Sequence, residues 1–169
     1  MLGLQFKTKT SWAEIAKDNL QQILTDHAFL EQKAASNAVS IIINYSEETK
    51  LVQAMSEIAI EEMEHFKMVH DFMVKRGMVL GREQKNDYAI QLMQFFKKTG
   101  DRKEALIQRL LIAALIEARS CERFRLLSLY VKEDELKRFY HKFMVSEAGH
   151  YQMFLELAEH YIGKEKTRV

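Results

Sequence analysis

One pattern occurs twice in this chain, half a chain apart. Glu31 is followed by Glu62-Met63-Glu64-His65, and Glu117 by Glu147-Ala148-Gly149-His150. The lone glutamate precedes its tetrapeptide by 31 residues in the first copy and by 30 in the second. On a helix, a Glu and a His three positions apart lie on one face, nearly one above the other. A single Glu-x-x-His is common by chance. Two of them, each trailing a Glu at nearly the same interval within apolar helical stretches, are a constraint on the fold. Four helices must bring these residues together.

The rest of the sequence permits this. No proline and only six glycines occur, so long helices meet few breakers. A chain of 169 residues, 47% hydrophobic, can bury the core of a single domain, and we expect one domain over residues 1–169. Cys121 is the lone cysteine, which excludes an internal disulfide and cysteine-built zinc or iron–sulfur sites. The first ten residues carry two lysines and no apolar run, so no secretory leader is expected. The apolar stretches are too short to span a bilayer. Together these predict a cytoplasmic protein with no membrane partner. A net charge of +1 gives no global pull toward nucleic acid, though it leaves room for a local basic patch.

Apolar periodicity places four long helices. The first opens at the capping box Ser11-Trp12-Ala13-Glu14 and runs to about Tyr45, with Ala16, Leu20, Ile23, Leu24, Ala28, Glu31, Ala34, Ala35, Ala38 and Ile42 recurring on one face. Ser46 caps the second, whose face is Leu51, Met55, Ile58, Glu62, His65, Val69 and Phe72. Lys75-Arg76-Gly77 stops it. Residues 78–100 read as a crossover with one small helix at 88–96. The box Asp101-Arg102-Lys103-Glu104 opens the third helix, which presents Leu106, Leu110, Ala113, Ala114, Glu117, Ser120, Cys121 and Phe124 and ends near Tyr130. The fourth runs from about Glu133 to Ile162, carries Leu136, Tyr140, Phe143, Glu147, His150, Phe154, Leu157 and Tyr161, and stops at Gly163. Short links join the first and second helices and the third and fourth; only the middle link is long. The expected class is therefore all-α, a ferritin-like four-helix bundle with one long crossover between helices two and three and a short extra helix. The two halves form a weak internal repeat offset by about 86 residues.

Each of the four glutamates sits mid-stripe with Ala, Ile, Leu or Phe one turn away. An unpaired buried carboxylate is costly, and four converging ones repel as well. No lysine or arginine shares those stripes. Two divalent cations would balance four carboxylates, with two neutral imidazoles completing the set. Glu31, Glu62, His65, Glu117, Glu147 and His150 are thus the expected metal ligands and catalytic centre. Carboxylate and imidazole ligation with open positions suits two iron ions, with manganese second. Two ferrous ions can jointly reduce dioxygen, and an apolar pocket keeps the oxidant on its target. Small residues beside the ligands (Ala34, Ala35, Ala38, Ala113, Ala114, Ser120) leave space for oxygen and substrate, or simply allow close helix packing.

Neighbouring residues carry less. Glu61 lies on a compatible face at i, i+4 from His65, but the second half has Ser146 there; Glu61 and Glu64 read as solvated or as outer partners of the ligands. His27, one turn before Glu31, reads as a core histidine or as a support for that ligand. His70, His141 and His160 lack companions at ligand spacing and read as surface or half-buried. Cys121, one turn after Glu117, reads as core packing.

At these residues the chain resembles the bacterial tRNA 2-methylthio-isopentenyl-adenosine hydroxylases, the MiaE family. The matching segments are Asp26–Ser36, Glu61–Phe66, Ile116–Phe124 and Ser146–Tyr151, within a resemblance spanning about residues 12–162. The string Glu117-Ala118-Arg119-Ser120-Cys121-Glu122-Arg123-Phe124 is its most specific part. The resemblance implies a non-haem diiron centre, dioxygen as co-substrate, and hydroxylation of the isopentenyl group of a modified adenosine beside the tRNA anticodon. It implies that the same six residues are iron ligands, that tRNA is a partner, and that an electron donor is needed. Arg119, Arg123 and Lys33 stand beside the ligands and are candidate contacts to tRNA. Lys132, Lys137, Arg138 and Lys142 form a further basic group able to neutralise phosphates. The alternative from another class is a ferritin-like protein that oxidises iron for storage or detoxification.

Overall fold

This computed structural model describes residues 2–83, 87–94 and 99–163. All regular structure among them is helical: α1 Thr10–Asp18, α2 Leu20–Asn44, α3 Thr49–Lys75, α4 Asp87–Gln94, α5 Arg102–Tyr130 and α6 Asp134–Ile162. Two compact units result, one comprising Met1–Asp18 and Asn86–Val169, the other Asn19–Lys85. No helix among the described residues is long and apolar enough to cross a membrane.

The Asn19–Lys85 unit is a helical hairpin. α2 buries Leu24, Ala28, Ala35, Ala38 and Ile41, and α3 buries Leu51, Met55, Ile58, Val69 and Met73. Truncating one of these leucines, isoleucines or methionines to alanine typically costs about 2–5 kcal/mol. The turn between the helices differs from expectation. α3 is capped by Glu48 and begins at Thr49, so Ser46 lies inside the turn, before the helix. The Glu48 N–H donates to the Tyr45 carbonyl at 3.0 Å and closes that turn. The far end of α3 matches the sequence signal. Gly77 has φ of +68°, and the Met78 N–H returns to the Met73 carbonyl at 2.9 Å. That left-handed residue with a six-to-one bond satisfies the last carbonyls of the helix.

The other unit pairs α5 with α6 across the short link Val131–Glu133, with α1 and α4 packed on α5. Its buried residues include Leu106, Leu110, Ala114, Phe124, Leu127, Leu136, Tyr140, Phe143 and Phe154. Phe124 stacks on Tyr140 with ring centroids 5.8 Å apart. The start of α5 is built as read, with one change of partner. Asp101 accepts the Glu104 N–H at 2.9 Å, but the Glu104 carboxylate takes the Thr99 hydroxyl at 2.6 Å. The Thr99 oxygen in turn accepts the Asp101 N–H at 3.1 Å, completing a three-residue capping loop. Gly163, with φ of +84°, ends α6.

The expected first helix is interrupted. It starts at Thr10, which puts Ser11 in its first turn instead of at a cap, and it breaks at Asn19. Lys17-Asp18-Asn19 explains the break, because Asp and Asn side chains compete with helical backbone bonds. Consequently α1 belongs with α5, while α2 belongs with α3. The crossover holds the expected small helix as α4; Phe95 and Phe96 of that segment lie outside the described residues.

Candidate metal centre

Each unit buries one copy of the repeated pattern. In the α2–α3 hairpin, Glu31, Glu62 and His65 offer ligand atoms within 4.8 Å of one another. In the α5–α6 pair, Glu117, Glu147 and His150 do the same. None of the six residues is more than 5% exposed, so bulk water cannot solvate their charge. The local reason is helical register: Glu31 lies between Ala28 and Ala35 on the α2 stripe, and Glu62 with His65 lies between Ile58 and Val69 on α3. Glu117 follows Ala113 and Ala114 on α5, while Glu147 and His150 are bracketed by Phe143 and Phe154 on α6.

Electrostatics show what this burial does. Burial, reinforced by the neighbouring Glu62, pushes the Glu31 carboxyl well above the ordinary range, with His65 opposing. Burial also works against charge on His65, but Glu31 and Glu62 outweigh it and raise the imidazole to about 10. Without a metal, then, this cluster holds protons at neutral pH. Its donors suit a cation in their place. His65 Nδ1 faces both acids, 3.5 Å from Glu31 Oε2 and 3.5 Å from Glu62 Oε2. Its Nε2 faces the half-exposed Glu61, with Oε1 at 3.7 Å. A metal-ligating histidine characteristically directs its other nitrogen to a carboxylate in this way. Carboxylate oxygens with one imidazole nitrogen per half are ligands appropriate to a redox-active first-row metal.

The remaining candidates are placed as follows. Glu64 is exposed. His27 is buried, its Nε2 2.5 Å from Glu31 Oε1, and burial lowers its pKa to about 3, so the ring is neutral. Sequence alone left this residue between core and support; the i, i+4 spacing to Glu31 was the signal. The Cys121 thiol donates to the Met144 carbonyl at 3.3 Å, and burial pushes its pKa up, as befits a packed thiol. His141 and His160 are exposed, and His70 stacks on Phe66.

The basic candidates have partners within the chain. Lys33 pairs with Glu83. Arg119 donates from Nη1 to the Phe6 carbonyl at 3.0 Å, the Thr8 hydroxyl at 3.2 Å and Glu122 at 2.5 Å, with its guanidinium 5.6 Å from the Tyr88 ring. Arg123 lies over the Trp12 ring at 5.2 Å. Glu122 itself accepts the Thr8 N–H and hydroxyl, which binds the N-terminal segment to α5. Periodicity gave no hint of this strap, because Thr8 precedes any helix.

Comparison with known proteins gives the family. The family described as tRNA-(MS[2]IO[6]A)-hydroxylase (MiaE) matches residues 2–169. A relative from Pseudomonas putida is 40% identical over 91% of this chain and 74% of its own length. Another, from Salmonella typhimurium, is 27% identical over 92% of this chain and 75% of its own. Both are named tRNA 2-(methylsulfanyl)-N(6)-isopentenyladenosine(37) hydroxylase. Among solved structures, a protein with aldehyde deformylating oxygenase activity from Synechococcus superposes with a TM-score of 0.91 at 34% identity, covering 97% of this chain and 81% of that one. The all-helical fold is ferritin-like, as the helix lengths and links predicted. On a match that runs from residue 2 to residue 169, the chain belongs to the MiaE family of tRNA hydroxylases.

Proposed function

We propose that this protein is a non-haem diiron, dioxygen-dependent monooxygenase that hydroxylates the isopentenyl group of 2-methylthio-isopentenyl-adenosine in tRNA. The observation that carries the reading is the pair of buried triads, Glu31–Glu62–His65 and Glu117–Glu147–His150, in a chain of this family. In this reading residues 1–169 work as one domain, and all six side chains ligate two iron ions. Two iron ions bound there would supply the electrons that activate dioxygen.

The chain's own residues define the rest. Four carboxylates neutralise the two dications, so the centre is electrically balanced in an apolar interior. Glu61 steadies His65 from behind, leaving Nδ1 for the metal. Alanines at 113, 114 and 118 keep the α5 side narrow in bulk and free of competing hydrogen donors. A buried, aliphatic surround excludes water and favours a hydrocarbon group such as isopentenyl over a polar one. tRNA and a separate electron donor are the partners, in a cytoplasmic setting. Lys33, whose side chain is 42% exposed, can exchange Glu83 for a phosphate. Arg119 and Arg123 would meet the substrate at the edge of the strap.

The test is mass spectrometry of nucleosides from tRNA lacking the hydroxyl, after incubation with the protein, ferrous iron, a reductant and isotopically labelled dioxygen. One labelled oxygen atom in the isopentenyl group is expected. Iron uptake without labelled nucleoside would sink the reading.

A further inference from the structure

Arg119 and Arg123 lie one turn apart on α5, and their surroundings differ. Nη1 of Arg119 donates to the Phe6 carbonyl, the Thr8 hydroxyl and Glu122, so its charge is matched and it fastens the strap. Arg123 forms no hydrogen bond or ion pair among the described residues. Its guanidinium lies over the Trp12 ring at 5.2 Å. Its Nε is buried without a partner, and the side chain as a whole is half-buried, with the Nη groups reaching solvent. The adjacent acid, Glu122, is already taken by Thr8 and Arg119. Burial works against a cation at Arg123, and Arg119 adds to it; Tyr88 and Glu122 oppose only in part. Arginine stays charged all the same. A half-buried charge without an internal counterion calls for an anion from outside.

The stack on Trp12 says what kind. An aromatic ring engages the face of a guanidinium and leaves its in-plane edge free to donate. That edge is a planar fork matched to the oxygens of a phosphate. The platform is itself held in place. Trp12 is on α1, which packs on α5, and the two Thr8–Glu122 bonds fix the chain four residues ahead of it. Arg123 follows Glu117 by six positions, about 9 Å along α5, so an anion held there lies beside the ligand cluster and not in it.

We propose that Arg123, stacked on Trp12, is the seat of one backbone phosphate of the substrate RNA, and that the strap serves to hold Trp12 beneath it. The inference rests on the tRNA reading above.

Trp12 is the only tryptophan in the chain, so its fluorescence reports on this place alone. Added to the full-length, iron-loaded protein, tRNA lacking the hydroxyl should change the Trp12 emission saturably, and salt should reverse the change. Inorganic phosphate over the same concentrations, at matched ionic strength, should leave the emission unchanged. Arg123→Gln should weaken tRNA binding about 10–100-fold. It should also make the plot of log affinity against log salt shallower by about 0.7–0.9, the equivalent of one phosphate. Arg123→Lys keeps the charge and should restore the slope. Wild-type affinity and slope in Arg123→Gln would overturn the phosphate seat and leave the hydroxylase reading standing. Wild-type emission that ignores bound tRNA would do the same, even if the variants fold poorly. Slope lost equally in Arg123→Lys would reduce Arg123 to a packing residue. A saturable response to inorganic phosphate alone would make this a free-phosphate site and overturn its assignment to RNA. Wild-type protein that binds no tRNA and transfers no labelled oxygen would overturn the hydroxylase reading and this inference with it.

Discussion

Thr8 gives both its backbone N–H and its hydroxyl to the Glu122 carboxylate, at 2.9 and 2.7 Å, across 114 positions of sequence. Arg119 reaches the same carboxylate. Burial alone would raise the Glu122 pKa, but the Thr8 bonds and Arg119 bring it below the ordinary value. Glu122→Ala strands these donors and should cost about 1–3 kcal/mol. For a chain of this size that lowers the melting temperature by about 2–4 °C per kcal/mol, measurable by calorimetry. The sign of the pH effect follows from a lowered folded pKa. Stabilisation by Glu122 is full above the unfolded value of 4.5 and is lost as pH falls through the folded one. Melting curves of wild type and Glu122→Ala should therefore converge in acid.

Removing metal should destabilise the protein, and more so at high pH. A ligand at 100 times its dissociation constant stabilises by about 2.7 kcal/mol, so chelation should lower melting by several degrees. In the metal-free protein, Glu31 is raised above its unfolded value and His65 is raised to about 10. The raised His65 contributes stability that is full below 6.5 and is lost as pH climbs toward 10. A raised carboxyl likewise loses ground as pH rises past its unfolded value. The metal-free melting temperature should thus fall from pH 6 to pH 9, while metal affinity rises over the same range as ligands shed protons. A flat profile in chelator would count against these side chains sharing a dry cluster.

Glu117→Ala should abolish hydroxylation. It removes a carboxylate from a triad that holds only two, leaving Glu147 and His150. Nucleoside mass spectrometry should show no product, and elemental analysis should show metal content below that of the wild type. Full activity in this variant would remove Glu117 from the ligand set.

Lys33 and Arg123 should differ as substrate contacts. Lys33→Ala leaves packing intact and should reduce the salt dependence of tRNA binding by about one phosphate contact, with little change in melting. Arg123→Ala also loses its seat on Trp12, so melting should drop by the equivalent of about 0.5–2 kcal/mol alongside weaker binding. Filter binding across a salt series, paired with calorimetry, separates the two.

The six buried Glu and His residues were legible because helical register is a local property. An acid placed mid-stripe among alanines and leucines reveals its burial in the sequence itself. The ends at Gly77 and Gly163 and the cap at Asp101 were legible for the same reason. What escaped was competition and distance. Asn19 interrupts an apolar periodicity that runs straight through it, and Ser46 looks like a cap until the turn closed between Tyr45 and Glu48 is seen to contain it. The Thr8–Glu122 strap joins residues with no shared period, so no pattern along the chain announces it. His27 stood between: its spacing to Glu31 was plain, but only coordinates show which oxygen it meets.

The break at Asn19 also sets an order of assembly during synthesis. The α2–α3 hairpin has both its helices once Lys75 has left the ribosome, and the contacts between them join neighbouring segments. The first eighteen residues have no such option. Their partners lie on α5, so α1 and the segment ahead of it must wait, tethered and unpaired, until residue 122 emerges. A segment made before any of its partners is thus among the last to find its place.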